Sequence, residues 1–342
     1  MKRNLHLEFW NFVCHFGDHK LLDFYNEMVH PAFFEKYVRS HGKTDWFFHD
    51  VRFIEANIGE GTLPFIYGKI VKDTSIERNQ VYENDELKTA HLFVPTAPSS
   101  IFMLSLIDHR IFFIKEHPDS PNMDNFKVTI EKFIELSRKK LIDNDYEAHK
   151  IERSEHGGAI KKVTKKSLQV RYPEAEIEVI PLSSDADIDE FIRNMKTINL
   201  IKLKLVLPNS EADTNGFFNS LRDETKKMGT NSSDLSFGKN KKSTTLPHPK
   251  VATLAKEARK DENIIITLHG TDMHDDKMIG SHEEFTLKKQ IEDLKSTPDL
   301  LCKSAYETFL ELIKDGIVRG PKINDIEKVK NKLKYIIETI RR

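Results

Sequence analysis

The stretch IFMLSLIDHRIFFIKE (residues 101–116) constrains the fold more strongly than any other part of the chain. Two apolar runs, Ile101–Ile107 and Arg110–Lys115, are separated by Asp108 and His109, and polar residues of this kind are typical of tight turns. Short apolar runs on either side of a turn predict the two strands of a β-hairpin. Because the hairpin is so apolar, we expect it to lie at the centre of a sheet.

Strands also dominate the rest of the first third of the chain. In NLHLEFWNFV (residues 4–13) apolar and polar residues come close to alternating, which predicts a half-buried strand. After the hairpin, Asn122 or Asp124 is placed to cap a helix that we expect to end near residues 140–143. The core face of this helix is predicted from residues at helical spacing, namely Phe126, Ile130, Phe133 and Ile134.

A polar stretch then divides the chain. It runs from Asp143 to Tyr172, contains Gly157 and Gly158, and lacks apolar periodicity until Val170, which predicts an exposed connection. We predict three parts, which are a strand-rich N-terminal domain with a closing helix at 1–145, a basic exposed linker at 146–172 and an α+β domain with terminal helices at 173–342.

The second half of the chain mixes helices with strands. Residues 201–207 alternate Ile or Leu with Lys up to Leu205, which predicts a strand with one wet face. A helix is predicted before Gly229 and another over residues 248–260, and two strands are predicted around residues 264–285. The fold class is therefore α+β, with a strand-rich N-terminal half and a C-terminal mixed or antiparallel sheet that helices cover.

The final predicted helix has the clearest pattern of all. Asn324 and Glu327 have the spacing of a capping box at its start. Such a stripe fits either the core of the chain or a dimer seam. Its apolar residues are spaced three or four apart, namely Ile326, Val329, Leu333, Ile336, Ile337 and Ile340.

Composition limits the classes of function. The 342 residues carry 53 basic and 54 acidic side chains, so any nucleic-acid partner must be recognised by a local patch. Only Cys14 and Cys302 are present, which excludes a disulfide framework and a four-cysteine zinc site and fits a reducing cytosol. Without a signal-peptide pattern or an apolar run near 18 residues, we expect a cytoplasmic protein that does not insert into membranes.

Two basic stretches favour binding to the phosphate backbone of a DNA or RNA duplex, with little sequence readout and in preference to stacking of single strands. Residues 161–171 carry five positive charges and no acid, and residues 226–256 carry seven lysines against Asp234 alone. The alternative is a pair of solvated charged loops. The candidate nucleic-acid-binding residues are Lys161, Lys162, Lys165, Lys166, Arg171, Lys226, Lys227, Lys239, Lys241 and Lys242.

The stretch TLHGTDMHDDKMIGSH (residues 267–282) concentrates acids and histidines, and its flanking residues favour the turn of a β-hairpin. We expect no resident metal and no cofactor there. A magnesium-dependent nuclease would need carboxylates with a lysine nearby, and the catalytic candidates are Asp272, Asp275, Asp276 and Lys277.

The stretches YGKIVKDTSIERNQVY and PTAPSSIFMLSLIDHRIFFIKEHPDSPNMDNF resemble a group of bacterial proteins similar in organisation to phage-exclusion and phage-defence proteins of the Rex A type. The shared features are the Ser-Ser-apolar-His-Arg hairpin, a strand exit at Pro208-Asn209 and a strand followed by Gly-Thr-Asp. The resemblance covers Tyr67 to Phe285. It implies a cytosolic, oligomeric DNA-binding sensor in antiviral defence and assigns no catalytic residue.

Three functions follow as hypotheses. The first is a non-enzymatic or weakly enzymatic nucleic-acid-binding protein of anti-phage defence that forms a homo-oligomer and works with an operon-encoded defence partner. The second is the magnesium-dependent nuclease acting on phage or host nucleic acid. The third is a protein–protein adaptor that dimerises through its C-terminal helix.

Overall fold

The computed structural model describes residues 5–59, 61–156, 161–208, 218–291, 294, 297–318, 320–321 and 325–341. Two antiparallel sheets with helices packed on them make up these residues, which confirms the α+β fold class and the strand-rich N-terminal half.

The strands are β1 (Leu5–Phe16), β2 (His19–Lys20), β3 (Val38–His41), β4 (Thr44–Ile58), β5 (Gly61–Glu83), β6 (Glu86–Thr96), β7 (Ser99–Ser105), β8 (Arg110–Lys115), β9 (Ala175–Pro181), β10 (Thr197–Val206), β11 (Ser232–Gly238), β12 (Ile264–Thr271), β13 (Lys277–Gly280) and β14 (Lys288–Ile291). The first sheet has the order β14-β1-β8-β7-β5-β4-β3, with β2 and β9 on β1 and β6 on β5. The second sheet has the order β11-β10-β12-β13.

The helices are α1 (His30–Phe34), α2 (Met123–Glu155), α3 (Lys165–Arg171), α4 (Asp185–Asn194), α5 (Asn219–Lys227), α6 (His248–Arg259), α7 (His282–Phe285), α8 (Pro298–Lys314) and α9 (Ile326–Ile340). A 3₁₀ turn at Leu21–Phe24 and a π turn at Tyr25–Val29 precede α1.

The predicted central hairpin is confirmed as β7 and β8. His109 closes the turn in the left-handed region with φ at 56°, and its carbonyl accepts a hydrogen bond from the Phe12 amide at 2.8 Å. The strand β1 differs from its half-buried prediction, because both of its faces are covered. Phe9 packs with one core cluster, and Phe12 packs with the cluster on the opposite face.

The helices that cover the two faces of the first sheet come from distant parts of the chain. The apolar side of α2 and the residues Leu333 and Ile336 of α9 cover one face of the first sheet. The helix α8 covers the other face, where Phe309 lies against Phe9 and Phe112. A strand buried on two faces needs no alternation, so the near-alternation in β1 predicts a polar face that the structure does not have.

The C-terminal half contributes to both sheets. Strand β9 pairs with β1 from Trp10–Pro181 to Phe16–Ala175, and β14 pairs with the start of β1. The two sheets are therefore not each built from one of the predicted domains. The domain boundaries at residues 145 and 172 stay a prediction.

The structure corrects the secondary structure predicted for the linker at residues 146–172, because part of this stretch is helical. The helix α2 continues to Glu155 rather than ending near residues 140–143, and α3 occupies residues 165–171. The reason is a small apolar cluster that joins the two helices, with the buried residues Ile142, Leu168 and Tyr172 at its centre. Ile142 is separated from Leu168 and Tyr172 by a long polar stretch, so no local periodic pattern joins the three residues.

The second sheet follows its predicted pattern. In β10 the residues Ile201, Leu203 and Leu205 are buried in a separate core cluster that α4 and α6 cover. On the opposite face Lys202 pairs with Asp234 of β11 at 2.9 Å, and Lys204 pairs with Glu178 of β9. The alternation of apolar residues and lysines thus separates a core face from a polar face.

Two helix starts test the predicted caps. Asn122 caps α2 by accepting a hydrogen bond from the Asn125 amide at 3.0 Å, which confirms the prediction. Asp325 caps α9 by accepting from the Lys328 amide at 2.9 Å. The predicted cap Asn324 lies outside the described residues.

Candidate nucleic-acid interface

The C-terminal half of α2 is polar and is held by pairs between successive turns. Glu147 lies 3.2 Å from Lys150, and Glu152 lies 3.4 Å from the His149 ring. Such pairs support a helix at the spacing of three residues. At the end of the helix, the amide of His156 donates to the Glu152 carbonyl. The helix thereby presents cationic side chains on its last two turns.

The helix α3 carries most of the first predicted patch. Thr164 caps it by accepting from the Ser167 amide at 3.1 Å, and buried Leu168 fixes it against α2. Two of its cations are paired with α2, since Lys165 lies 2.5 Å from Asp143 and Arg171 lies 4.0 Å from Asp145. Both pairs are exposed, so each contributes little to stability and is open to exchange.

Tyr172 strengthens the junction between α2 and α3. Its hydroxyl donates to Asp145 at 2.6 Å, and the carbonyl of Tyr172 accepts from Arg138 at 2.7 Å. Burial, followed by the hydrogen bond to Asp145, raises the pKa of Tyr172 to about 12. The phenol is therefore neutral at physiological pH, and it holds the two basic helices in a fixed arrangement.

A cleft of about 420 Å³ opens between the end of α2 and the residues that precede α3. Its cationic residues are Lys150 and Arg153 on α2 and Lys162 in the segment before α3. The remaining lining residues are Tyr146, His149, Ser154 and Val163. Of this lining, the sequence predicted only Lys162.

Lys150 and Arg153 were missed because they belong to a stretch that is predicted to be a linker. Their spacing of three places both on one face of a helix, but only if the helix extends past residue 143. The signal that would have found them is the run of paired charges at helical spacing, Glu147 with Lys150 and His149 with Glu152.

The second predicted patch is divided in two. Lys226 and Lys227 end α5, next to the start of β11, whereas Lys239, Lys241 and Lys242 follow its end. The seven residues of β11, which span about 20 Å at about 3.3 Å per residue, lie between the two groups along the chain. Within the patch, Lys227 pairs with Glu224 at 2.7 Å and Lys239 donates to the Thr244 carbonyl at 3.2 Å.

Acidic residues lie between the first patch and the start of β11. The side chain of Asn231 donates to Glu176 at 3.0 Å, and Glu174 lies 3.3 Å from Arg138. The predicted cations thus fall in three groups along the chain, namely α3 with the residues before it, the end of α5, and the residues after β11. The first group is the one that contributes to the cleft beside α2.

The nuclease candidates lie in the turn between β12 and β13. The carboxylate of Asp272 accepts from the amides of His274 at 2.8 Å and Asp276 at 3.0 Å, so it stabilises the turn. Asp275 has φ at 68° and pairs with Lys196 at 2.6 Å. Among the residues that the structure describes, no three His, Cys, Asp or Glu side chains form a group that could hold a metal ion.

A second cavity of about 250 Å³ lies where the two sheets meet, and its charged residues are engaged in structural contacts. Arg259 donates to the carbonyl of Ser183 at 2.6 Å, and Lys256 pairs with Asp189 at 2.8 Å. Two neighbouring acids form ion pairs with buried arginines, Asp261 with Arg222 and Glu262 with Arg110. This junction is a structural tie between the two sheets.

Within the described ranges, no helix combines the length and the apolar character that crossing a membrane requires. No family model matches the chain, and no curated protein matches it either. The cleft between α2 and α3 therefore has to be interpreted from its own geometry and charge.

Proposed function

We propose that the protein binds nucleic acid through the phosphate backbone, as a component of anti-phage defence in the bacterial cytoplasm. One observation carries the binding proposal, which is that three cationic side chains from two segments line a single cleft of about 420 Å³. The defence role rests on the resemblance to Rex A-type proteins. A DNA or RNA backbone is the expected partner.

The charge around the cleft supports phosphate contact. The cleft is lined by Lys150, Arg153 and Lys162, and the neighbouring α3 adds Lys166. Arginine matches the oxygen geometry of phosphate, and lysine acts as a point charge on it. Each phosphate contact releases counterions, so binding energy of this kind depends strongly on salt.

A salt titration tests the proposal. We expect duplex DNA or RNA to bind at low salt, with log K falling linearly as log salt rises. Combined Lys150→Ala, Arg153→Ala and Lys162→Ala substitutions should weaken binding and reduce the slope by about 0.9 for each phosphate that is no longer neutralised. The matched control is Lys314→Ala at the exposed end of α8, which should change neither quantity. Absence of binding at low salt would refute the proposal.

The magnesium-dependent nuclease stays a prediction. It requires Asp276 and its neighbours to bind a metal, whereas Asp272 and Asp275 are occupied by turn and ion-pair contacts. Plasmid cleavage with magnesium, abolished by Asp276→Ala, would establish it. Cleavage that survives Asp276→Ala would show that the catalytic site lies elsewhere.

Homo-oligomerisation also stays a prediction, but the dimer seam along α9 loses its support. Leu333 and Ile336 are buried within the chain against the first sheet. The large apolar side chains that are exposed include Tyr82 and Leu87 on the hairpin of β5 and β6, which are 68% and 70% exposed. Light scattering on the chain with Tyr82→Ser and Leu87→Ser tests whether self-association uses this hairpin.

A further inference from the structure

The shape of the α2–α3 cleft restricts what can enter it. A volume of about 420 Å³ lies in the range of small-molecule sites, roughly 300–1,000 Å³. A groove that follows a duplex instead contacts many successive phosphates over an extended surface. The cleft therefore fits the end of one strand, or a single nucleotide, better than the side of a duplex.

The charge of the cleft favours a terminal phosphate over an internal one. An internal phosphodiester carries one negative charge, whereas a phosphomonoester carries about 1.5 to 2 at neutral pH with three acceptor oxygens. Lys150 and Arg153 from α2 and Lys162 from the segment before α3 supply three cations to the lining of the same space. Ser154, also in the lining, adds a hydroxyl donor.

The acidic neighbours do not block such a ligand. Glu147 and Glu152 pair with Lys150 and His149 through contacts of 3.2 and 3.4 Å between successive turns of α2. Side chains in these pairs are 35–67% exposed, so solvent screens the pairs and a dianion can replace the carboxylates.

Two rings complete the lining, those of Tyr146 and His149. The Lys165 ammonium lies 5.5 Å from the Tyr146 ring centre and holds a further charge near it. A base attached to the terminal phosphate can stack on a ring of this kind, and stacking tolerates any base.

We infer that the cleft between α2 and α3 binds the terminal phosphomonoester of a nucleic-acid strand. This inference rests on the proposed nucleic-acid binding and adds that strand ends are preferred to internal backbone. Phosphate oxygens contact Lys150, Arg153 and Lys162, and the terminal base lies against Tyr146 or His149.

Three oligonucleotides of one sequence test the inference in fluorescence anisotropy. One carries a 5′-phosphate, one a 3′-phosphate, and one has hydroxyls at both ends, with the fluorophore on an internal base. We expect one of the phosphorylated strands to bind about tenfold tighter than the hydroxyl strand, the gain of one added charge-assisted hydrogen bond. The phosphorylated strand that binds more tightly shows whether the 5′ or the 3′ end is recognised.

Variants then locate the preference. Arg153→Ala and Lys162→Ala should each abolish the preference for the phosphorylated end, and Arg153→Lys should retain part of it. The control is Lys139→Ala, an exposed lysine of α2 that does not line the cleft. Circular dichroism confirms that each variant is folded.

The outcomes separate the two proposals. Equal, salt-dependent binding of all three strands overturns the end preference and leaves backbone binding standing. A preference that survives Arg153→Ala and Lys162→Ala also overturns the inference, because the end is then bound elsewhere. If neither these strands nor a duplex of the same sequence binds at low salt, both proposals fail. Binding of the duplex without the strands overturns the end preference alone.

Discussion

The two sheets of this protein bury their strands in different ways. In the first sheet the adjacent residues Phe112 and Phe113 of β8 are both fully buried, in clusters on opposite faces. In the second sheet Leu203 of β10 is buried while its neighbour Lys202 is half exposed. One sheet is covered on two sides. The other has a core side and a second side that is polar at Lys202 and Lys204 but buried at Val206 and Ile265.

The difference lies in where the covers come from. The second sheet is covered by α4 and α6, which adjoin its strands in sequence. The second face of the first sheet is covered by α8, which begins only at Pro298. A local pattern therefore describes β10 well and describes β1 poorly.

The strongest test of two-sided burial is a pair of truncations in β8. We expect Phe112→Ala and Phe113→Ala each to lower the free energy of unfolding by about 3–5 kcal/mol, because each leaves a cavity in a closed core. Urea denaturation measures both. If one substitution proves nearly neutral, that face of the first sheet is not a packed core.

A glycine tests how closely the strands of the second sheet approach. A Cβ on Gly270 would lie 1.8 Å from the Thr197 carbonyl oxygen, and this is a backbone atom that a rotamer change cannot move. We expect Gly270→Ala to cost about 3 kcal/mol or more. The control is Gly238→Ala, where the nearest atoms are 3.9 Å away. Similar melting temperatures for the two variants would contradict this interpretation.

The turn between β7 and β8 adds a pH dependence to the first sheet. Burial of the His109 ring, followed by the charge of Arg110, lowers its pKa from 6.5 to about 3. Above pH 6.5 the ring is neutral whether the chain is folded or unfolded, and its contribution to stability is complete. Below pH 6.5 only the unfolded chain takes up the proton, so stability falls by about 1.4 kcal/mol per pH unit down to about pH 3.

Denaturation at pH 7 and pH 5 checks this dependence. The variant His109→Asn removes the titrating group, and asparagine tolerates the φ of 56° at this position. We expect the variant to lose less stability than the wild type between the two pH values. Equal losses would show that other groups control the acid sensitivity.

The smallest effect is expected on the polar face of the second sheet. Lys202→Ala removes an exposed ion pair with Asp234 and should cost less than about 1 kcal/mol. Its neighbour serves as the reference, since Leu203→Ala should cost about 2–5 kcal/mol. Similar losses of unfolding free energy in Lys202→Ala and Leu203→Ala would contradict the difference in burial between β10 and β8.

Structural features that depend only on residues adjacent in the chain could be predicted from the sequence. The turn at Asp108 and His109, the alternation of β10 and the Asn122 cap each follow from a few adjacent residues. The extension of α2 could not, because it depends on Leu168 and Tyr172 reaching back to Ile142. The cleft could not be predicted either. The residues that line it belong to a stretch whose polar composition predicts a linker.

The dependence of the first sheet on α8 has a consequence for synthesis of the chain. At about 5–20 residues per second, a ribosome takes roughly 15–60 s to go from β1 to α8. Until then, Phe9 and Phe112 have no Phe309 to pack against, and that face of the nascent sheet is open to chaperones or to aggregation. The burial of β1 is thus completed by a helix that is synthesised much later.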